Sequence, residues 1–213
     1  MNWTDYFDEI FLINLPDRPD RLKAASAEFE KYNIPFTVWG ATPHENGMYG
    51  LNLTMKHLFE SNSDKNRILV FEDDVKFVED PNLYMGKCIE QLKETGSWKL
   101  FYLGINMDNE QNTFNKFTAP NLLPVTFGYG THAVAYNRSA ITDLIYQLNN
   151  CYIFETPYDK IIANSLQKQP DKCFCSYPLL VTQRDGYSDI QKSESTYEYI
   201  QQRFDHSVKH LLK

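Results

Sequence analysis

The chain has no run of eighteen consecutive apolar residues, so no segment reads as a membrane-spanning helix. Met1 to Asp8 lacks the charged start and apolar core of a secretory leader, and the expectation is a soluble, cytoplasmic protein. Cysteine is scarce and scattered. Cys88, Cys151, Cys173 and Cys175 match neither a disulfide framework nor the paired Cys-x-x-Cys of a zinc site, and read as reduced core thiols. Positive charge is short as well: 21 Lys and Arg against 28 Asp and Glu give a formal net charge of -7, which argues against a broad nucleic-acid surface. Walker-type phosphate loops are absent, which excludes kinase and GTPase chemistry of that kind. There is no internal repeat, low-complexity tract or linker, so the 213 residues are read as one domain with a sizeable core.

What is present centres on Arg67 to Lys76. Ile68 to Phe71 form a short apolar run rich in branched and aromatic side chains, as expected of a strand buried on both faces. It ends in Glu72, Asp73 and Asp74, three carboxylates that repel one another unless something cationic neutralises them. The carboxyl end of a strand in an open α/β sheet is where ligands bind. Oxygen ligands at i and i+2 suit a hard divalent ion that also holds a diphosphate, which outlines a nucleotide-sugar transferase site. A solvated acidic turn, or carboxylates capping the next helix, is the plainer alternative.

Ile10 to Ile13 is a second apolar run, ended by Pro16 and Pro19, and Leu22, Ala25, Phe29 and Tyr32 then recur at helical spacing. Arg18 and Arg21 near that helix start suit a phosphate or nucleotide, or else salt bridges to Asp17 and Asp20. Pro35 to Gly40 is expected to be a strand, Ala41 to Gly50 a loop, and Leu51 to Ser61 a helix carrying Lys56 and His57. A helix from Asp80-Pro81 to Thr95 and a strand over Lys99 to Leu103 follow. This alternation predicts an α/β fold, a single domain with a central, mostly parallel sheet flanked by helices.

Ile105 to Asn121, with Asn106, Asn109, Asn112 and Asn115, reads as a long polar excursion that stays mobile until substrate binds. Gly128 and Gly130, with Thr131, lead into a strand from His132 to Tyr136 and a helix from Arg138 to Asn149; the glycines permit close approach to a ligand or make a plain turn. Asp159 falls in the first turn of a helix, where dipole compensation is its plain role. Cys173 to Tyr177 and Leu179 to Thr182 are a further strand region. Asp189 lies in the polar stretch after it, and Ser195 with Glu198 forms a possible capping box for a last helix.

Taken in order, these motifs resemble glycosyltransferase family 25, the group with bacterial lipopolysaccharide and collagen galactosyltransferases. The matching pieces are Asn14-Leu15 with Arg18 and Asp20-Arg21, His57, Glu72-Asp73-Asp74, Gly130-Thr131 leading to Ser139-Ala140, Asp159, and Pro178 through Gln183 to Ser188-Asp189-Ile190. The resemblance implies a GT-A type fold, a UDP-sugar donor and a divalent metal, Mn2+ or Mg2+, held by Glu72 and Asp74, with Asp73 reaching the ribose. It also implies donor contacts from Asn14, Leu15, Arg18, Arg21, His57, Gly130 and Thr131. The acceptor would be a glycan, lipid-linked glycan or glycoprotein. An inverting route needs a carboxylate base; Asp159 is the first candidate and Asp189, which could equally hold a loop over the nucleotide, the second. Where the family has Ser-His this chain has Lys56-His57, and it is short for the family, as one domain of a longer protein would be. A metal-dependent nucleotidyltransferase or phosphohydrolase would use the same acidic strand end, and a non-catalytic carbohydrate- or partner-binding domain would use the 14 Tyr and 14 Phe as ring platforms.

Overall fold

The computed structural model describes residues 2–107, 114–150, 155–169 and 171–213. Its elements run β1 (Glu9–Asn14), α1 (Pro19–Glu30), β2 (Thr37–Gly40), α2 (Gly47–Ser61), β3 (Arg67–Glu72), β4 (Val75–Phe77), α3 (Pro81–Glu94), β5 (Leu100–Tyr102), β6 (Leu122–Pro124), β7 (Ala133–Asn137), α4 (Arg138–Asn150), α5 (Tyr158–Ser165), β8 (Cys173–Ser176), β9 (Val181–Gln183), β10 (Gly186–Ser188), β11 (Ser193–Ser195) and α6 (Glu198–Val208). Among the described residues, seven strands form one sheet in the order β2-β1-β3-β7-β5-β8-β6. β1 pairs in parallel with β2 and β3, and β5 with β8; β7 runs against β3 and β5, and β6 against β8. The sheet is therefore mixed but mostly parallel, with helices on both faces, in agreement with the strand-helix alternation of the sequence.

Successive residues of β3 divide between two cores. Ile68 and Val70 pack with Met55, Leu58 and Phe59 of α2, Ile141 and Leu144 of α4, and Phe204 of α6. Leu69 and Phe71 pack on the other face with Ala25 and Phe29 of α1 and Met85, Ile89 and Leu92 of α3. β1 divides in the same way, Phe11 and Ile13 to one side and Ile10 and Leu12 to the other. Two-sided burial is why both strands read as continuous apolar runs, and each such side chain contributes about 1.5–3 kcal/mol on leaving water. β3 thereby becomes the rigid centre from which its last residues project.

Several boundaries differ from the sequence expectation. α2 begins at Gly47, not Leu51, because the Asn46 side chain caps it by accepting from the Tyr49 backbone N–H at 3.2 Å. Gly47 and Gly50 are helical residues at close approaches: a Cβ on Gly47 would lie 2.9 Å from the Asp189 carbonyl oxygen, and one on Gly50 2.9 Å from that of Thr42. Ser195 does not cap the last helix. It pairs with Gly186 in the β10–β11 hairpin and donates through Oγ to Gln191 at 2.9 Å, while α6 follows Tyr197 without a side-chain cap. The polar excursion is pinned at its edges, since Ile105, Met107 and Phe114 are buried; Asn109 and Asn112 lie outside the described residues, as does Cys151. Cys88, Cys173 and Cys175 are buried free thiols.

Gly104, just beyond β5, shows how tightly the strand ends are packed. A Cβ there would lie 2.2 Å from His132 Nε2 and 2.3 Å from the Val181 carbonyl oxygen. Overpacking of this kind costs about 1–3 kcal/mol. Gly104→Ala should therefore lower the urea midpoint by at least that equivalent with little change in m-value; a midpoint equal to the parent's would contradict this packing.

Candidate active site

Three neighbouring strand ends build the site. The parallel register places Ile13 opposite Glu72, so Asn14 and Leu15 leave β1 beside the carboxylates. On the other side β7 begins where β3 ends, with Ala133 opposite Phe71, which brings Gly130, Thr131 and His132 alongside. The first turn of α1, started by Pro19 at a position where a missing N–H costs nothing, carries Arg18 and Arg21 over the same edge.

Arg21 is the bridge. One guanidinium nitrogen lies 2.6 Å from Asp73 Oδ1 and 3.2 Å from Asp74 Oδ2, and another lies 3.2 Å from Asp189 Oδ2. Arg18 donates to the same Asp189 oxygen and clamps the exposed Asp20 with Nε and Nη2 at 3.1 and 3.0 Å, bonds that hold the Asp20 carboxyl down at about 2. Of the expected surface salt bridges, the one from Arg18 to Asp20 is present, while Arg21 turns to the cleft carboxylates and both arginines meet at Asp189.

The cluster is short of positive charge. Burial, followed by the charge of Asp74, pushes the Glu72 carboxyl well above the ordinary range, although Thr131 Oγ1 donates to it at 2.7 Å. Burial pushes Asp73 up to about 6 against the pull of Arg21. Asp74 accepts from Gln183 Nε2 at 3.0 Å through Oδ2, while its Oδ1 is buried without a hydrogen-bond partner. A solvated turn does not describe this triplet, and neither does a helix cap: Asp73 is 8% exposed, and Asp80 caps α3 instead. Among the described residues no three Asp, Glu, His or Cys side chains converge as a metal cluster. Two carboxylates with one unpartnered oxygen do fit a hard cation whose remaining positions are filled by phosphate oxygens and water, as magnesium-type ions are commonly held.

These groups open onto a cleft of about 320 Å³. Asn14, Leu15, Arg21, Glu72, Asp73 and Asp74 line it together with Gly130, Thr131, Asp159 and Asp189. Asp159 Oδ2 lies 3.5 Å from the Gly130 backbone N, and its Oδ1 accepts from the Lys160 N–H at 2.8 Å. The loop opposite is braced from below, because buried Gln167 accepts from the Gly128 N–H at 3.1 Å and donates to the Gly128 carbonyl at 3.0 Å and to the Tyr102 hydroxyl at 2.9 Å. Two candidates fall outside the lining. Arg18 faces an adjoining depression shared with Arg21 and Tyr187. His57 is exposed, with Nδ1 3.5 Å from Thr42 Oγ1, and α2 instead presents Met48, Leu51 and Thr54 to the cleft.

Sequence reasoning missed Thr42, His44, Asn106, Tyr197 and Tyr199, which also line the cleft. The motif reading reached Gln183 but not its bond to Asp74. Asn106 carried no signal, being one of several asparagines in an unpatterned stretch. The tyrosines follow a hairpin whose three-residue strands are too short for a period of two to show.

No protein-family model matches the chain, and no curated protein matches it in sequence. Among solved structures it is similar to a glycosyltransferase involved in the glycosylation of the major capsid of PBCV-1, with a TM-score of 0.52 at 11% identity, covering 86% of this chain and 95% of that one. A second similar structure is A197 from STIV, at a TM-score of 0.46 and 11% identity, covering 87% and 91%. Fold and site together define a GT-A-like α/β domain with an anionic, arginine-bridged cleft at the carboxyl ends of its strands.

Arg21→Ala should destabilise the protein by about 3–5 kcal/mol at pH 7, because it strands buried carboxylates. Of the three carboxylates that lose Arg21, Asp73 is the one that burial pushes up to about 6. The difference from the parent is therefore largest above that pH and shrinks as Asp73 protonates below it. Denaturant unfolding at pH 7.5 and 5 checks both; a pH-independent difference would mean that the pair with Asp73 contributes nothing to the loss.

Proposed function

We propose that this chain is a glycosyltransferase of the family 25 type, moving a hexose from a UDP-sugar, UDP-galactose or UDP-glucose, to a hydroxyl of a glycan, lipid-linked glycan or glycoprotein with inversion. The observation that carries the reading is the unpartnered Asp74 Oδ1 beside a charge-deficient carboxylate cluster, at a strand end that opens on a cleft of about 320 Å³, within the range of small-molecule sites. Lipopolysaccharide-type glycan synthesis in the cytoplasm is the setting this reading implies, and among the described residues no helix is long and apolar enough to cross a membrane.

In this reading Glu72 and Asp74 hold Mn2+ or Mg2+, and the ion supplies electrostatic stabilisation of a leaving diphosphate. Arg21, 3.2 Å from Asp74 Oδ2, would stabilise the charge that develops on the leaving group. Asn14, Leu15 and Asp73 form the nucleoside end. As the acceptor oxygen bonds to the anomeric carbon, the bond from that carbon to the phosphate oxygen breaks, the nucleoside diphosphate leaves with the electron pair, and Asp159 takes the acceptor proton. Asp189 is less suited to that task, because its Oδ2 is already engaged by two guanidiniums; holding the 186–195 hairpin over the cleft fits it better.

A thermal-shift panel of UDP-, GDP-, CMP- and dTDP-sugars with and without Mn2+ tests the donor. A UDP-sugar with Mn2+ should raise the melting temperature, since a ligand at 100 times its Kd adds about 2.7 kcal/mol, and Asp74→Asn should lose that shift. A panel with no response would remove the reading, and a nucleotide joined to product would mean nucleotidyl transfer instead. Asp159→Asn should cut transfer roughly a hundredfold at unchanged donor affinity; normal turnover would remove Asp159 as the base.

A further inference from the structure

The function proposed above leaves the acceptor hydroxyl open between a sugar and a protein side chain. We infer that the cleft wall formed by Asn106, Tyr197 and Tyr199 is an acceptor subsite for a sugar ring, with Asn106 selecting a sugar hydroxyl. This rests on the glycosyltransferase reading of the same cleft.

Asn106 is held in place by its backbone, which exchanges hydrogen bonds with Tyr129 at 2.8 and 2.9 Å. That bridge sets its side chain against Gly130, where a Cβ would lie 3.6 Å from Asn106 Cβ. Gly130 in turn faces Asp159, so Asn106 and the carboxylate assigned as base both adjoin the same glycine. Asn106 Nδ2 donates to the Tyr199 hydroxyl at 3.3 Å, while Oδ1 is buried with no hydrogen-bond partner. The two ends of an amide are assigned from their surroundings, and the conclusion survives either assignment: one end is tied to a tyrosine and the other is open. A buried open end is costly and is expected where a ligand completes it.

The ring surface beside it is fixed. Tyr197 and Tyr199 have centroids 6.4 Å apart and planes at 39°. The Arg203 guanidinium covers Tyr199 at 4.7 Å, and the Tyr197 N–H donates to Asp185 at 2.7 Å. Tyr197 is 9% exposed and anchors the wall in the core, so Tyr199 offers the ring; with an oriented amide and a carboxylate it matches a pyranose, which has apolar C–H faces and a rim of hydroxyls. Arg21, assigned to the leaving diphosphate, belongs to the Asp189 side of the cleft.

Saturation-transfer NMR without donor tests this, using methyl β-D-galactopyranoside, methyl β-D-glucopyranoside and a Ser/Thr peptide as probes. The expected result is transfer to the ring protons of a glycoside but not to the peptide. That signal should fall about tenfold in Asn106→Ala, the scale of one lost hydrogen bond, and should also fall in Tyr199→Phe, which keeps the ring and removes only the hydroxyl holding the amide. If Asn106→Ala fails to fold, Tyr199→Phe carries the comparison. Asp74→Asn should leave glycoside binding intact while abolishing the nucleotide-sugar shift, so failure of the donor reading is seen separately. Absence of glycoside binding, binding that survives both wall substitutions, or preference for the peptide would overturn the subsite.

Discussion

The structure turns on a shortage of positive charge at one strand end. β3 is buried on both faces, so its last residues cannot turn away into water, and the chain places three consecutive carboxylates there. Arg21 answers two of them and reaches Asp189 as well, yet burial still drives Glu72 and Asp73 toward the protonated form. A guanidinium is suited to this bridging task because its planar fork presents several donors at once and cannot lose its proton. Everything around the cleft is arranged about that arginine: the proline-started helix that carries it, the turn after β3 that it ties down, and the hairpin it holds from across the opening.

The topology explains why these groups meet. Parallel β1 and β3 bring two loops to one edge, and the reversed β7 starts at that edge instead of ending there, which adds Gly130 and Thr131 from a third direction. The tight contacts at Gly47, Gly104 and Gly50 then close the gaps between loop, helix and sheet. Charge is concentrated by the sheet, and space is withheld from water by the glycines.

Much of this was legible in the sequence where a physical pattern is long enough to read. The runs Ile10–Ile13 and Ile68–Phe71 announced two-sided strands, and the carboxylates after the second announced the site. Arg21 and Asp159 were reachable as charges at helix starts. The pairing of Arg18 and Arg21 with Asp189 was not, because about 170 residues separate the partners and no local period couples them. The early start of α2 was hidden by two glycines that look like loop residues but are required by contacts with distant backbone. His57 drew notice through the family resemblance, yet the helical repeat alone does not say which face meets the cleft; Met48, Leu51 and Thr54 hold that face.

The brace beneath Gly128 has a mechanical consequence. Asp159 opens α5, and Gln167, which bonds both the N–H and the carbonyl of Gly128, lies in the short turn that continues the same helix. The carboxylate and the brace of the glycine loop facing it are thus carried by one continuous helical segment, which fixes the spacing between them. The opposite bank is held otherwise: Asp189 ties the 186–195 hairpin to Arg18 and Arg21, and the hairpin backbone packs on Gly47 of α2. What enters the cleft therefore passes between one bank whose carboxylate is set by a helix and another whose carboxylate is neutralised by two arginines.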